Sequence, residues 1–141
     1  MRTKLVVLVI GALAMTTQVR AADSRGASPP ATNAATKVKI VGVEEFDKLR
    51  ANKTNVVLDV RTTREFKAGH IPGALNIDVN SPDFDQKVGE LDRNKTYLVH
   101  CAAGVRSAKA CKKLETMGFR DLFDLRTGFH GWEQAGKPVE K

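Results

Sequence analysis

The sequence predicts a single α/β domain with a mainly parallel sheet and helices on both sides of it. Short runs of β-branched and other apolar residues alternate with longer amphipathic runs, as in domains built from successive strand and helix pairs. The run NVVLDV at 55–60 is almost entirely apolar, which is typical of a strand buried on both faces. The chain has 141 residues, and its segment 37–141 is long enough to form a core without disulfides.

The first half of this domain alternates regularly between the two kinds of element. Strands are predicted at 38–41, 55–60 and 74–77, and helices at 43–51 and from 62 or 63 to 69. Phe46 and Leu49 lie on one face of the first helix, which makes that helix amphipathic. A threonine at 62 or 63 is expected to cap the second helix, and Gly69 ends it. A proline–glycine turn then leads into the third strand.

The second half continues the same alternation. Strands are predicted at 96–100 and 121–125, and helices at 81–91, 105–117 and 129–135. Ser81 is the expected cap of the first of these helices, with Pro82 in its first turn. Gly118 and Gly136 follow the two later helices and are expected to end them.

The first 21 residues have the features of a secretory signal peptide. Arg2 and Lys4 precede eleven apolar residues at 5–15, and small or modest side chains precede a cleavage point after Ala21. A membrane anchor is the alternative, but eleven residues span only about 16 Å as a helix, roughly half of a bilayer core. We therefore expect export to the periplasm or beyond, with no stable membrane span after cleavage. Residues 22–36 carry no large apolar side chain and are expected to form a flexible linker.

The charge pattern argues against a nucleic-acid partner. Removing residues 1–21 takes away Arg2, Lys4 and Arg20 and no acid, so the formal charge falls from +7 to +4. The remaining basic residues are interleaved with acids, and aromatic residues are few. This modest excess of positive charge is compatible with small anionic substrates.

Cys101 directly follows the strand TYLVH and precedes a helix, with the loop CAAGVR between the two. Small residues and Gly104 allow the loop to curl so that successive N–H groups point to one centre, and the helix adds its positive end. A thiol at that centre is expected to have a lowered pKa, and Arg106 to offer a permanent charge to a substrate oxyanion. The alternative is that Cys101 is an ordinary buried thiol. The residues predicted to bind substrate here are Ala102, Ala103, Gly104, Val105, Arg106 and Ser107.

Cys111 is expected to have a different role. It falls on the helix after the loop, in an apolar stripe with Ala108 and Leu114, so we interpret it as a core residue. The helical separation from Cys101 is too long for a disulfide, although a redox partner role stays open. The sequence has no CxxC and no histidine and cysteine cluster at zinc spacing, so we expect neither a metal nor a cofactor.

Three motifs resemble the rhodanese family. The segment DVRTTREFKAGHIPGALNI at 59–77 is similar to its DVR…E(F/Y)…GHIPGAxNI signature, and CAAGVRS at 101–107 to its CxxGxRS active loop. LRTGFHGW at 125–132 matches the terminal LxGGxxxW pattern except at Thr127, where glycine is usual; the departure puts a local turn in question. The resemblance implies a three-layer fold with a central, mainly parallel five-stranded sheet flanked by helices.

The resemblance also implies sulfur transfer. Cys101 would attack a donor such as thiosulfate and pass the sulfur, as a persulfide, to a thiophilic acceptor such as cyanide or a thiol. Asp59 and Arg61 are expected to pair and support the adjacent loops. A sulfur carrier that serves a protein acceptor needs the same loop and stays an alternative. A cysteine phosphatase or arsenate reductase is less favoured, because those enzymes use C-x5-R and this loop is C-x4-R.

Overall fold

The computed structural model describes residues 36–141. The predicted signal peptide and the predicted linker up to residue 35 lie outside the described residues. Within this part of the chain the five predicted strands and five predicted helices are all present, in the predicted order. None of these helices is long and apolar enough to cross a membrane.

The bounds of the elements agree with the predictions to within one residue, with one exception. The strands are Lys39–Val41 (β1), Val56–Asp59 (β2), Leu75–Asn76 (β3), Thr96–His100 (β4) and Asp121–Leu125 (β5). The helices are Val43–Ala51 (α1), Thr63–Ala68 (α2), Phe84–Gly89 (α3), Val105–Thr116 (α4) and Gly128–Gln134 (α5). The exception is α3, which was predicted to begin at Ser81.

The late start of α3 has a local cause. The Ser81 hydroxyl hydrogen-bonds to the Asp83 carboxylate instead of capping the helix backbone. The Phe84 N–H donates to the Ser81 carbonyl at 3.1 Å, so residues 81–84 close a turn before the helix begins. Short polar side chains that bond to nearby groups compete with the helix in this way.

The five strands form one parallel sheet in the order β1-β5-β4-β2-β3. In a parallel sheet all carboxyl ends lie at the same edge, which is where ligands bind in such folds. The register pairs Asp59 at the end of β2 with His100 at the end of β4. Cys101 therefore leaves the sheet in the middle of that edge.

Each face of the sheet carries its own apolar cluster, because successive strand side chains point to opposite faces. In β4, Tyr97 and Val99 pack with the inner faces of α3 and α4, whereas Leu98 packs with α1 and α5. Trp132 on α5 is fully buried in the second cluster, and its Nε1–H donates to the Pro138 carbonyl at 2.7 Å. The three-layer architecture expected from the resemblance is confirmed.

Helix α4 corrects one detail of the predicted core. Its buried positions are Ser107, Ala110, Cys111 and Leu114, whereas Ala108 is exposed. Spacings of three, four and seven residues place the first group on one helix face. The predicted stripe of Ala108, Cys111 and Leu114 used steps of three residues alone, and such steps rotate around the helix, so Ala108 falls outside the buried face.

Candidate active site

The Cys101 thiol lies at the bottom of its loop, with 1% of the residue exposed. The Gly104 N–H donates to Sγ at 3.1 Å, and the Ser107 hydroxyl lies 3.6 Å from the same sulfur. Gly104 has φ +93°, so the chain can reverse there and begin α4 directly beneath the thiol. The loop therefore places the Gly104 N–H as a donor against the sulfur. The Ser107 hydroxyl accepts from the Cys101 thiol and donates to the Gly104 carbonyl at 3.2 Å, and it can turn to donate to the sulfur when the thiol ionises.

These donors determine the charge state of the thiol. Burial raises the pKa of Cys101, but hydrogen bonds from the Ser107 hydroxyl and from the N–H groups of Ser107, Ala103 and Gly104 outweigh it. The net pKa is lowered from the ordinary value, because those donors stabilise the thiolate. The thiolate is the nucleophilic form of cysteine, so the loop favours reactivity at this position.

The first turn of α5 holds the loop from the other side. The Phe129 N–H donates to the Cys101 carbonyl at 2.7 Å, and the His130 N–H to the Ala102 carbonyl at 3.0 Å. Gly128 has φ +58°, and a Cβ added there would lie 2.5 Å from the carbonyl carbon and oxygen of Ala102. Because the backbone of α5 lies so close to the loop, its N–H groups can bind two loop carbonyls. These bonds hold the loop in the conformation in which the Gly104 N–H donates to the sulfur. The terminal motif thus supports the active loop, which the sequence interpretation did not foresee.

The departure at Thr127 is accommodated locally. Thr127 has φ −90° and ψ −4°, a conformation open to any residue, so glycine is not needed there. Its side chain occupies the space where a Cβ on Gly131 would stand. The turn that the sequence put in question is therefore intact.

Arg106 is not a free cation. Its two terminal nitrogens bind the two carboxylate oxygens of Glu65 at 2.8 and 2.7 Å, in a two-point pair. Glu65 also accepts from the N–H and hydroxyl of Thr62, which completes a capping box at the start of α2. The bond with Arg106 is the main reason that the pKa of Glu65 falls to about 2. The expected contact between Arg106 and a substrate oxyanion stays a prediction.

The predicted pair of Asp59 and Arg61 is present and buried. The guanidinium binds the carboxylate at 2.7 Å, and it also donates to the Gly69 carbonyl at 2.8 Å. The pair therefore ties the end of β2 to the end of α2. His100 lies 3.6 Å from Asp59 through Nε2, but its burial lowers its pKa, so it is neutral near neutrality.

Cys111 on α4 and Asp124 on β5 both line a second pocket, which differs from the cavity beside the loop. Both cysteines are free thiols, and burial raises the pKa of Cys111 far above the ordinary value. Asp124 on β5 is 5% exposed, and among the described residues its Oδ1 has no hydrogen-bond partner. Burial raises the pKa of Asp124, and the Ser107 hydroxyl offsets part of that rise. Cys111 behaves as the predicted core residue, and Asp124 is an acid that the sequence interpretation missed.

A cavity of about 270 Å³ opens beside the loop. Its lining includes Arg61, Glu65, Gly69, Ala102, Phe129 and Glu133. Because Ala102 is the neighbour of Cys101, this cavity lies directly beside the reactive loop. No group of three or more histidine, cysteine, aspartate or glutamate side chains suited to a metal occurs within residues 36–141.

Sequence and structure comparisons identify the family of the chain. The family model of the rhodanese-like domain matches residues 42–135, so the chain belongs to the rhodanese-like family. The solved structure of a rhodanese-related protein from Thermoplasma volcanium is 30% identical, with a TM-score of 0.65, and the match covers 72% of this chain and 97% of that one.

The names of similar proteins indicate several different roles. A thiosulfate sulfurtransferase of Shewanella oneidensis is 30% identical over 69% of this chain and 94% of its own length. A putative sulfur carrier protein of Bacillus subtilis is 26% identical over 70% of this chain and 52% of its own length. A tRNA uridine(34) hydroxylase of Cytophaga hutchinsonii is 37% identical over 68% of this chain, but the match spans only 32% of that protein. Members of the family are thus named both as sulfurtransferases and as a putative sulfur carrier.

Glu65, Gly128 and Asp124 are the site residues that sequence reasoning missed. The T-x-x-E spacing from Thr62 to Glu65 is a capping-box signal and would have placed Glu65 at the start of α2. It would not have indicated the bond to Arg106, which is 41 residues away along the chain.

Proposed function

We propose that this protein moves a sulfane sulfur from thiosulfate, or a similar donor, to a thiophilic acceptor such as cyanide or a thiol, through a persulfide on Cys101. The observation that carries the proposal is the pair of groups against Sγ: the Gly104 N–H, which donates to it at 3.1 Å, and the Ser107 hydroxyl, which lies 3.6 Å away and can donate to the thiolate. These groups stabilise a thiolate, and the same groups suit the terminal sulfur of a persulfide.

The reaction has two displacement steps. The Cys101 thiolate attacks the outer sulfur of thiosulfate; a new S–S bond forms, the S–S bond of thiosulfate breaks, and sulfite leaves with the electron pair. Cyanide or a thiolate then attacks the terminal sulfur of the persulfide and takes it, and the Cys101 thiolate is restored. No external oxidant is needed, because each step exchanges one sulfur bond for another.

The residues around Cys101 have supporting roles in this reaction. We propose that its members from Ala102 to Ser107 form the binding surface for the transferred sulfur, with Ala103, Gly104 and Ser107 acting through their N–H groups or hydroxyl. Val105 is exposed at the start of α4. Asp59 and Arg61 act at a distance, by fixing the segment that carries Glu65.

A sulfur carrier is the second candidate, and the name of the Bacillus subtilis relative favours it. A carrier would form the same persulfide and release its sulfur only to a protein acceptor. The phosphatase and arsenate reductase alternative has less support, because the loop C-x4-R is short and Glu65 already occupies Arg106. We further propose export as the cellular context, on the pattern of residues 1–21. Sequencing the N-terminus of the protein recovered from its native compartment would test this.

The decisive experiment is intact mass spectrometry before and after incubation with thiosulfate. We expect the reduced protein to gain the mass of one sulfur atom, and cyanide to remove it as thiocyanate. Cys101→Ser should gain nothing, and Cys111→Ser is the matched control that should gain sulfur like the unmodified protein. If thiosulfate and other sulfane donors leave the unmodified protein unchanged, the proposal is wrong. Release of sulfur to cyanide at catalytic rates separates an enzyme from a carrier.

A further inference from the structure

We propose that the second pocket, between α4 and the edge formed by β1 and β5, binds a small apolar amine whose ammonium group pairs with the carboxylate of Asp124. This α4–β1 pocket has a volume of about 260 Å³. Its lining combines Val38 and Ile40 from the β1 segment, Asp124 from β5 and one face of α4. The site is separate from the cavity beside the active loop, and its ligand binding does not depend on the proposed sulfur transfer.

Two regular elements form the walls of the α4–β1 pocket. On the strand side, Ile40 pairs in register with Asp124, and Val38 lies two residues before Ile40, so the three side chains share the face that α4 covers. The lining residues of α4 share one helix face, because they are spaced by three, four and seven positions; they are Ala108, Cys111, Lys112 and Glu115. Helix α4 packs on β4 and β5, and β1 lies beyond β5 at the sheet edge, which leaves the pocket open.

The pocket combines an apolar surface with one buried acid. Ile40 is a large apolar side chain that stays exposed at the mouth. Asp124 is only 5% exposed, and among the described residues its Oδ1 has no hydrogen-bond partner. Because buried polar atoms nearly always have a partner, this carboxyl in the pocket wall indicates a ligand with a polar group. An apolar cavity of about 150 Å³ is enough to hold benzene, so the pocket has room for one ring with a short polar arm.

The charges around the pocket favour a cationic ligand. Lys112 and Glu115 are the other charged residues of the lining; both are exposed, and their charges offset each other. The Cys111 thiol stays neutral, because burial raises its pKa. Lys39 points to the opposite face of the sheet, where its Nζ lies over an aromatic ring. Burial raises the pKa of Asp124, and an ammonium group beside it would stabilise the ionised form.

Two probes of nearly the same shape separate charge from apolar contact. Benzylamine carries an ammonium group, whereas benzyl alcohol has the same ring with a neutral hydroxyl. Each is titrated at pH 8 into the ¹⁵N-labelled protein, and the amide chemical shifts give both the Kd and the location. We expect shifts within 38–40 and 108–115. Benzylamine should bind about tenfold more tightly than benzyl alcohol, because only benzylamine forms a charge-assisted bond with Asp124.

The central variant is Asp124→Asn, which removes the charge and keeps the size of the side chain. It should weaken benzylamine binding about tenfold and change benzyl alcohol binding less than about twofold. Glu115→Gln is the matched control: it removes an exposed carboxylate from the same pocket and should weaken benzylamine binding less than about twofold. Lowering the pH until Asp124 is protonated should weaken the binding of benzylamine alone.

A second variant tests the location without touching the acid. Ala108→Leu fills the pocket from an exposed helix position, so the fold should tolerate it and both probes should lose affinity. This variant serves if Asp124→Asn does not fold. Equal binding of the two probes to the unmodified protein, or unchanged benzylamine binding in Asp124→Asn, would overturn the inference. Shifts confined to the Cys101 loop, or no shifts up to the solubility limit of benzylamine, would overturn it as well.

Discussion

Gly128 is a position outside the active loop where a single added methyl group should damage that loop. Its backbone has φ +58°, and the added Cβ would lie 2.5 Å from the carbonyl carbon and oxygen of Ala102 and 2.6 Å from the Cys101 oxygen. Gly136 is a matched control, because it has φ +67° and an added Cβ there meets nothing within 4 Å. Alanine at either position adds the same atoms in a similar backbone conformation.

The expected costs follow from that difference. A left-handed conformation costs a residue with a side chain about 1–2 kcal/mol, so Gly136→Ala should lose about that much. Gly128→Ala carries the same cost and must also push the loop away from α5. The bonds from Phe129 to Cys101 and from His130 to Ala102 would weaken, at about 1 kcal/mol each. We therefore expect a total loss of about 3–4 kcal/mol for Gly128→Ala.

Urea unfolding followed by tryptophan fluorescence measures both variants. The sequence has one tryptophan, and Trp132 lies buried on α5, so the signal reports on the helix in question. The rate of Cys101 persulfide formation should fall in Gly128→Ala and stay unchanged in Gly136→Ala. Equal losses of stability in the two variants would refute the reasoning, because the loop contact would then contribute nothing.

Three further outcomes are expected. Iodoacetamide should alkylate Cys101 of the native protein with an apparent pKa below that of a free thiol, and it should leave Cys111 unmodified. Ser107→Ala should raise the apparent pKa of Cys101, because it removes the side-chain hydrogen bond that lowers this pKa. Peptide mapping of the alkylated protein across pH measures both effects. Thr127→Gly should lower the free energy of unfolding by about 0.5–1 kcal/mol in a urea titration, because the site needs no glycine; a gain in stability would contradict this. Burial raises the pKa of Asp124 in the folded protein, so this carboxyl ionises at a lower pH in the unfolded chain than in the folded one. As the pH rises above the ordinary aspartate pKa, Asp124 therefore lowers the free energy of unfolding. Asp124→Asn should therefore gain stability relative to the unmodified protein as the pH rises above the ordinary aspartate pKa, as urea unfolding at pH 3 and pH 8 would show; a pH-independent difference would contradict the assignment.

Much of the fold can be predicted from the sequence, because its signals are local. The mainly apolar runs of β2 and β4 are each readable within a few residues, and both strands are found where predicted. The predicted start of α3 was wrong for an equally local reason. Ser81 and Asp83 bond to each other, and a cap signal and a turn signal use the same residue types.

The sequence alone determined the position of Cys101 at the end of a strand, the small-residue loop after it and the helix behind it, because these depend on neighbours in the chain. Only the tertiary structure decided the partner of Arg106, the support of the loop by α5 and the burial of Asp124, whose Oδ1 has no partner among residues 36–141. Each of these depends on the strand order β1-β5-β4-β2-β3, which brings the ends of β2, β4 and β5 to one edge. Residues as far apart as Glu65 and Arg106 meet there because the sheet joins their strands, and no local pattern records that meeting.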